Sequence, residues 1–176
     1  MLSETLPQAF LLAVVFPSFS PLCLKRLLGK RLKGLKAEPA ELYGFVEDSV
    51  WYPNERFIEE AHELCIREYG GYVGYETGIG LYKVILKEVK ESEGIFRKAA
   101  VLLRRLAVRP TIFQDGNHRV AWMATVTFLN NNWKTTWTDD SEAIYTFIKD
   151  VPCHSIEQIA EWLENGPQTE TSHESP

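Results

Sequence analysis

Cysteine is scarce in this chain: only Cys23, Cys65 and Cys153 occur, far apart and with no C-x-x-C pairing. That pattern argues against a disulfide framework or a thiolate zinc site and points to reduced thiols in a cytoplasmic protein. Long apolar runs are missing too. The stretch from Phe10 to Leu24 is interrupted by Pro17 and Pro21, short of the ~20 residues a membrane span needs. It has no basic segment before it and no A-x-A-like cleavage site, so neither a signal peptide nor a transmembrane segment is expected. Nor is there an excess of positive charge. A net charge of −5 argues against a specific nucleic-acid partner.

What is present is the material for one core. The 176 residues are 45% hydrophobic and 12% aromatic, enough for a single globular domain. Residues 1–47 read as an N-terminal extension, first apolar and then basic. Leu24, Leu27, Leu28, Leu32 and Leu35 recur at helical spacing beside Lys25, Arg26, Lys30, Lys33 and Lys36, although Gly29 and Gly34 weaken such a helix. Ala37 to Ser49 reads as a connector.

From residue 48 to residue 166 helical periodicity dominates. Asn54 is placed to cap a helix with Phe57, Ile58, Ala61, Leu64 and Cys65 on one face and Gly70-Gly71 at its end, and His62 on it reads as a structural histidine. Gly70 to Gly80 is a Gly- and Tyr-rich loop. Leu81, Val84 and Ile85 form the next apolar stripe, and Lys87 to Gly94 reads as a solvated, charged link. A strong stripe follows through Phe96, Ala99, Leu102, Leu103 and Leu106, with Arg97, Lys98, Arg104 and Arg105 read as solvated. Trp133 to Trp137 is β-prone or extended. Asp140 or Ser141 caps a helix bearing Ile144 and Phe147, and Ser155 to Gln158 forms a capping box for the last one. Residues 167–176 are a polar tail, expected to be disordered.

The stretch from Pro110 to Asn131 organises the rest. Phe113-Gln114-Asp115-Gly116-Asn117-His118-Arg119 is a polar turn, and from Val120 to Trp133 no side chain is charged. Apolar residues there fall on every face of the helical wheel, which predicts a helix buried on all sides. The start of such a helix attracts anions, because its first N–H groups lack partners and carry the positive end of the dipole. Gly116 lets the donors converge. Asp115 offers a carboxylate oxygen of the kind Mg²⁺ takes alongside phosphates. Asn117 and the fork of Arg119 are suited to phosphate oxygens, and His118 is positioned to touch the same group. These residue types predict a Mg²⁺-phosphate site.

The same residues resemble the signature of the Fic/Doc (Fido) family, H-x-F-x-[DE]-G-N-x-R followed by an apolar helix that ends in F-L-x-x-N. Phe113, Asp115, Gly116, Asn117 and Arg119 match it, as does the downstream Phe128 to Asn132 run, and the likeness extends from about Tyr52 to Gly166. The resemblance implies an all-α fold, a helical bundle around one central buried helix with at most a minor β element. It implies Mg²⁺ and ATP or a related nucleotide, with Asp115 on the metal and Gly116, Asn117 and Arg119 on the phosphates, while His118 stands at the motif's variable position. It implies adenylyl transfer (AMPylation) or, in the death-on-curing (Doc) branch to which this chain is closer, phosphoryl transfer to a protein hydroxyl. Implied partners are a target protein and an antitoxin-like inhibitor, as in toxin-antitoxin systems. Two positions depart from the pattern. Thr111 stands where the family has its general-base histidine, and Trp122 where the Fic subgroup has a second arginine. A threonine hydroxyl cannot act as the base, so a catalytically degenerate nucleotide-binding or interaction module is the alternative. His118 is the nearest titratable residue in the motif.

Overall fold

The computed structural model describes residues 42–167. The leucine-striped basic segment and all but the first residue of the polar tail lie outside the described residues. The first elements are an antiparallel hairpin, β1 (Gly44–Glu47) and β2 (Val50–Pro53), with Gly44 opposite Pro53 and Glu47 opposite Val50. Six α-helices follow among the described residues: α1 (Glu55–Tyr69), α2 (Leu81–Glu91), α3 (Ile95–Ala107), α4 (Asn117–Asn131), α5 (Ser141–Asp150) and α6 (Ile156–Asn165). The fold is therefore helical with a minor β element, as expected. No helix among the described residues is long and apolar enough to cross a membrane.

α4 occupies the centre, where it packs against α3, α1, β2 and α5, while α3 carries α2 and α6 on its other sides. Ala121, Trp122, Ala124, Phe128 and Leu129 of α4 are wholly buried. With large residues on all sides contributing ~1.5–3 kcal/mol each on burial, the helix has one stable position. The other elements are fixed by local chemistry. Asn54 accepts a hydrogen bond from the Phe57 N–H at the start of α1, Asp140 accepts one from Ala143 at the start of α5, and Ser155 and Gln158 close the capping box of α6.

Several local expectations are corrected. The connector predicted up to Ser49 contains β1, so the folded unit begins before residue 48. Asp48 and Ser49 take positive φ values of 50° and 63°, the geometry of a tight hairpin turn, without the glycine that advertises one. β1 forms because Phe45 stacks on Tyr52, which β2 buries against Phe128 of α4. The charged link at residues 87–94 is mostly helix. α2 runs to Glu91 and turns Tyr82, Ile85 and Val89 inward, which leaves Val84 half exposed.

Lys98 is not solvated. It is 9% exposed, and its ammonium donates to the carbonyls of Val89 (3.2 Å) and Lys90 (2.6 Å). It thereby finishes the C-terminus of α2, where the helix dipole favours a cation. Burial lowers its pKa, partly opposed by Asp48. The segment from Trp133 to Trp137, read as β-prone or extended, lies outside helix and strand. Trp133 leaves α4 at φ 60° and is exposed, while the Trp137 N–H donates to the Leu163 carbonyl.

Candidate functional site

The turn before α4 is held by its own side chains. Thr111, Ile112 and Phe113 are buried, and the Phe113 ring lies parallel to the His62 imidazole with centroids 3.8 Å apart. Tyr75 stacks against the same ring at 5.5 Å, and the two residues are joined by an antiparallel β-bridge. That bridge ties the Gly- and Tyr-rich loop to the motif loop, with Gln114 N–H donating to Gly74 and Glu76 N–H to Ile112. Gly116 then adopts φ 78°, ψ 0°, the left-handed conformation that glycine enters without steric cost, and begins α4 with no side-chain cap. Its carbonyl accepts from Arg119 and Val120 N–H. The N–H groups of Asn117 and His118 therefore precede the first intrahelical bond.

His62 is the part of this support that lies far off in sequence. Its Nε2 is 3.1 Å from the Asp115 carbonyl oxygen. An acceptor there requires the proton on Nε2. Burial lowers the His62 pKa, although the Asp115 carbonyl and the neighbouring carboxylates pull the other way. The neutral ring is thus a structural prop, as its place on α1 suggested.

Thr111, Asp115, Gly116, Asn117, His118 and Arg119, every site residue expected from the sequence, line one cavity of about 800 Å³. Its far wall comes from α5, where Ile144, Tyr145 and Ile148 give it an apolar side and Lys149 a cation. The mix of a broad apolar wall with a few converging polar groups suits a small-molecule ligand of nucleotide size.

The six residues are not equally free. Asn117 uses both ends of its amide on Phe113, Oδ1 accepting from the N–H at 3.2 Å and Nδ2 donating to the carbonyl at 2.7 Å. It staples the loop, and the second N–H of its amide is not used in these two bonds. Asp115 accepts from the Gly116 N–H (2.6 Å) and the Tyr72 N–H (3.3 Å). A side chain at Gly71, where φ is 129°, would put Cβ 2.5 Å from the Asp115 carboxylate, so the close approach requires glycine. Arg119 lies over the Tyr69 ring and donates to the carbonyls of Gly70 (3.3 Å) and Cys65 (3.5 Å). Those bonds are long and use one terminal nitrogen, so the rest of the guanidinium remains for a ligand. His118 reaches solvent at the rim. Its pKa is lowered by desolvation and by Lys149, against the hydrogen bond it makes to the backbone of Ala107.

Thr111 is 5% exposed, and its hydroxyl donates to the carboxylate of Glu76 as well as facing the Phe113 carbonyl at 3.1 Å. Arg109 reaches the other Glu76 oxygen at 3.2 Å. Arg109 thus pairs with a carboxylate. Glu76 was absent from the sequence-derived site. Its proximity depends on the Tyr75–Phe113 bridge, a long-range pairing that no local pattern announces. Trp122, at the position of the second arginine, is wholly buried edge-on to Trp162 and so belongs to the core.

Among the described residues no group of three or more His, Cys, Asp or Glu side chains gathers as a metal cage. Asp115 nevertheless fits Mg²⁺, which commonly takes one or two carboxylates and completes its shell with phosphate oxygens and water. Neither a protein-family model nor a curated protein matches this chain.

Proposed function

We propose that this chain is a Fic/Doc-like protein that binds a Mg²⁺-nucleoside triphosphate in the cavity at the start of α4 and transfers an adenylyl or phosphoryl group to a protein hydroxyl. The observation that carries the reading is the convergence of Asp115, Gly116, His118 and Arg119 on one cavity of about 800 Å³, beside a helix start that has no side-chain cap. Asp115 would hold the cation, which when bound neutralises phosphate charge and orients the phosphates. The N–H groups at the beginning of α4 and the Arg119 guanidinium would hold phosphate oxygens, and the α5 wall would take the base and ribose. Asn117 keeps the turn in shape by its two bonds to Phe113.

A second reading is favoured by one observation: the hydroxyl at the family's base position, Thr111, is already donated to Glu76. In that reading the protein binds nucleotide as a regulatory module without transferring it. Mg·ATP labelled at the α- or γ-phosphate, incubated with the protein and with cell-extract acceptors, separates the two. Label passing to protein from the α-phosphate means adenylylation, and from the γ-phosphate phosphorylation. Binding without transfer, together with gain of transfer in Thr111→His, would establish the degenerate reading and overturn the transferase.

A further inference from the structure

We propose that Glu76 replaces the missing histidine as the group that takes the proton from the acceptor hydroxyl. The inference deepens the transferase reading and rests on it. Glu76 comes from the loop between α1 and α2, yet its carboxylate lines the same cavity as Asp115 and Arg119 and sits against Thr111. A carboxylate is competent for this step: in protein kinases an aspartate accepts the proton of the substrate hydroxyl during phosphoryl transfer.

The carboxylate is also aimed. Its N–H donates to the Ile112 carbonyl at 3.0 Å, which fixes the backbone beside the motif loop. One oxygen accepts from the Thr111 hydroxyl and the other lies 3.2 Å from Arg109. Each oxygen has a second lone pair to offer. The Glu76 side chain is 32% exposed and that of Arg109 is 84% exposed, so their pairing is screened and easily parted. Thr111, buried and donating, has the role of a positioning residue, which explains how a group that cannot itself be the base occupies this place.

The step balances with a nucleoside triphosphate as co-substrate. The acceptor oxygen forms a bond to phosphorus while its O–H bond breaks and the proton passes to Glu76. The bond from phosphorus to the bridging oxygen breaks, and its electron pair leaves on pyrophosphate when the α-phosphorus is attacked, or on the nucleoside diphosphate when the γ-phosphorus is.

The test compares the full chain with Glu76→Gln and Glu76→Ala in two measurements, calorimetric binding of Mg·ATP and transfer of label to protein. Glu76→Gln keeps the length of the side chain and an acceptor for Thr111. It should bind Mg·ATP as the unaltered chain does while transfer falls ~10²–10⁴-fold, the usual contribution of general-base help. Formate should restore part of the transfer in Glu76→Ala, which a purely structural role would not allow. Transfer by Glu76→Gln at the unaltered rate, or joint loss of binding and transfer, would overturn the assignment and leave the nucleotide site standing. Binding by the unaltered chain with no transfer at all would overturn both the assignment and the transferase. Failure of the unaltered chain to bind nucleotide would remove the underlying site reading as well.

Discussion

The two ends of α4 are finished in opposite ways. At the C-terminal end the protein uses its own groups throughout. The Asn132 side chain accepts from the Trp51 N–H (2.8 Å) and donates to the carbonyls of Trp51 (2.9 Å) and Phe128 (2.8 Å). It extends the hairpin's hydrogen bonding by one side chain. Lys134 N–H then closes back on the Leu129 carbonyl at 2.9 Å. At the N-terminal end Gly116 supplies no side chain, Asn117 turns its amide backward to Phe113, and the first turn opens on the cavity. One end is closed by the protein's own groups and the other opens on the cavity proposed to take a nucleotide. Stability and binding should therefore separate along a single helix.

The largest effect is expected at the closed end. Asn132→Ala removes three hydrogen bonds and leaves the Trp51 N–H without its partner, which should cost about 2–4 kcal/mol by denaturant unfolding. Affinity for Mg·ATP should stay unchanged; a drop in affinity comparable to that of a cavity variant would break the separation. A smaller loss of stability is expected at the open end. Gly116→Ala puts a Cβ on a residue at φ 78° with His62 and Ile66 atoms 3.4 Å away, so strain of about 1–2 kcal/mol is expected. Here nucleotide affinity should fall too, because the turn that aims the N–H groups must move. Unchanged affinity would place the ligand elsewhere.

The smallest effect is a pH dependence carried by His62, which is 4% exposed. Burial holds its pKa below the ordinary histidine value of 6.5. Between that lowered value and 6.5 the unfolded chain binds the proton and the folded chain does not. The stability His62 contributes is thus complete above 6.5 and declines as the pH falls toward its folded pKa. Thermal unfolding at about pH 7.5 and about pH 5.5 should show a lower Tm in acid, and His62→Gln should narrow the difference. An equal difference in the variant would assign the acid sensitivity to other groups.

The closed end and the open end differed in how far the sequence revealed them. α4 was legible because its burial rests on apolar residues at every face of a run without charged side chains, and the turn before it because glycine, asparagine and aspartate mark it locally. The capping positions Asn54, Asp140 and Ser155 were legible for the same reason. What escaped was set by partners distant in sequence. β1 depends on Tyr52 meeting Phe128, the Lys98 ammonium on the end of α2, and Glu76 on a bridge between residues 75 and 113. Asn117 lies where the motif placed it, and its bonds to Phe113 are an addition that the sequence did not announce. Residue type reveals that an amide is available, but only the fold reveals that Phe113 has already engaged it.

The most direct test of an open phosphate-binding end is a calorimetric titration of Mg·ATP into the protein and into Arg119→Ala. The expected result is binding at one site, weakened about 10- to 100-fold in the variant by loss of charge-assisted hydrogen bonds. Absence of binding to the unaltered protein, or equal affinity in both, would contradict it.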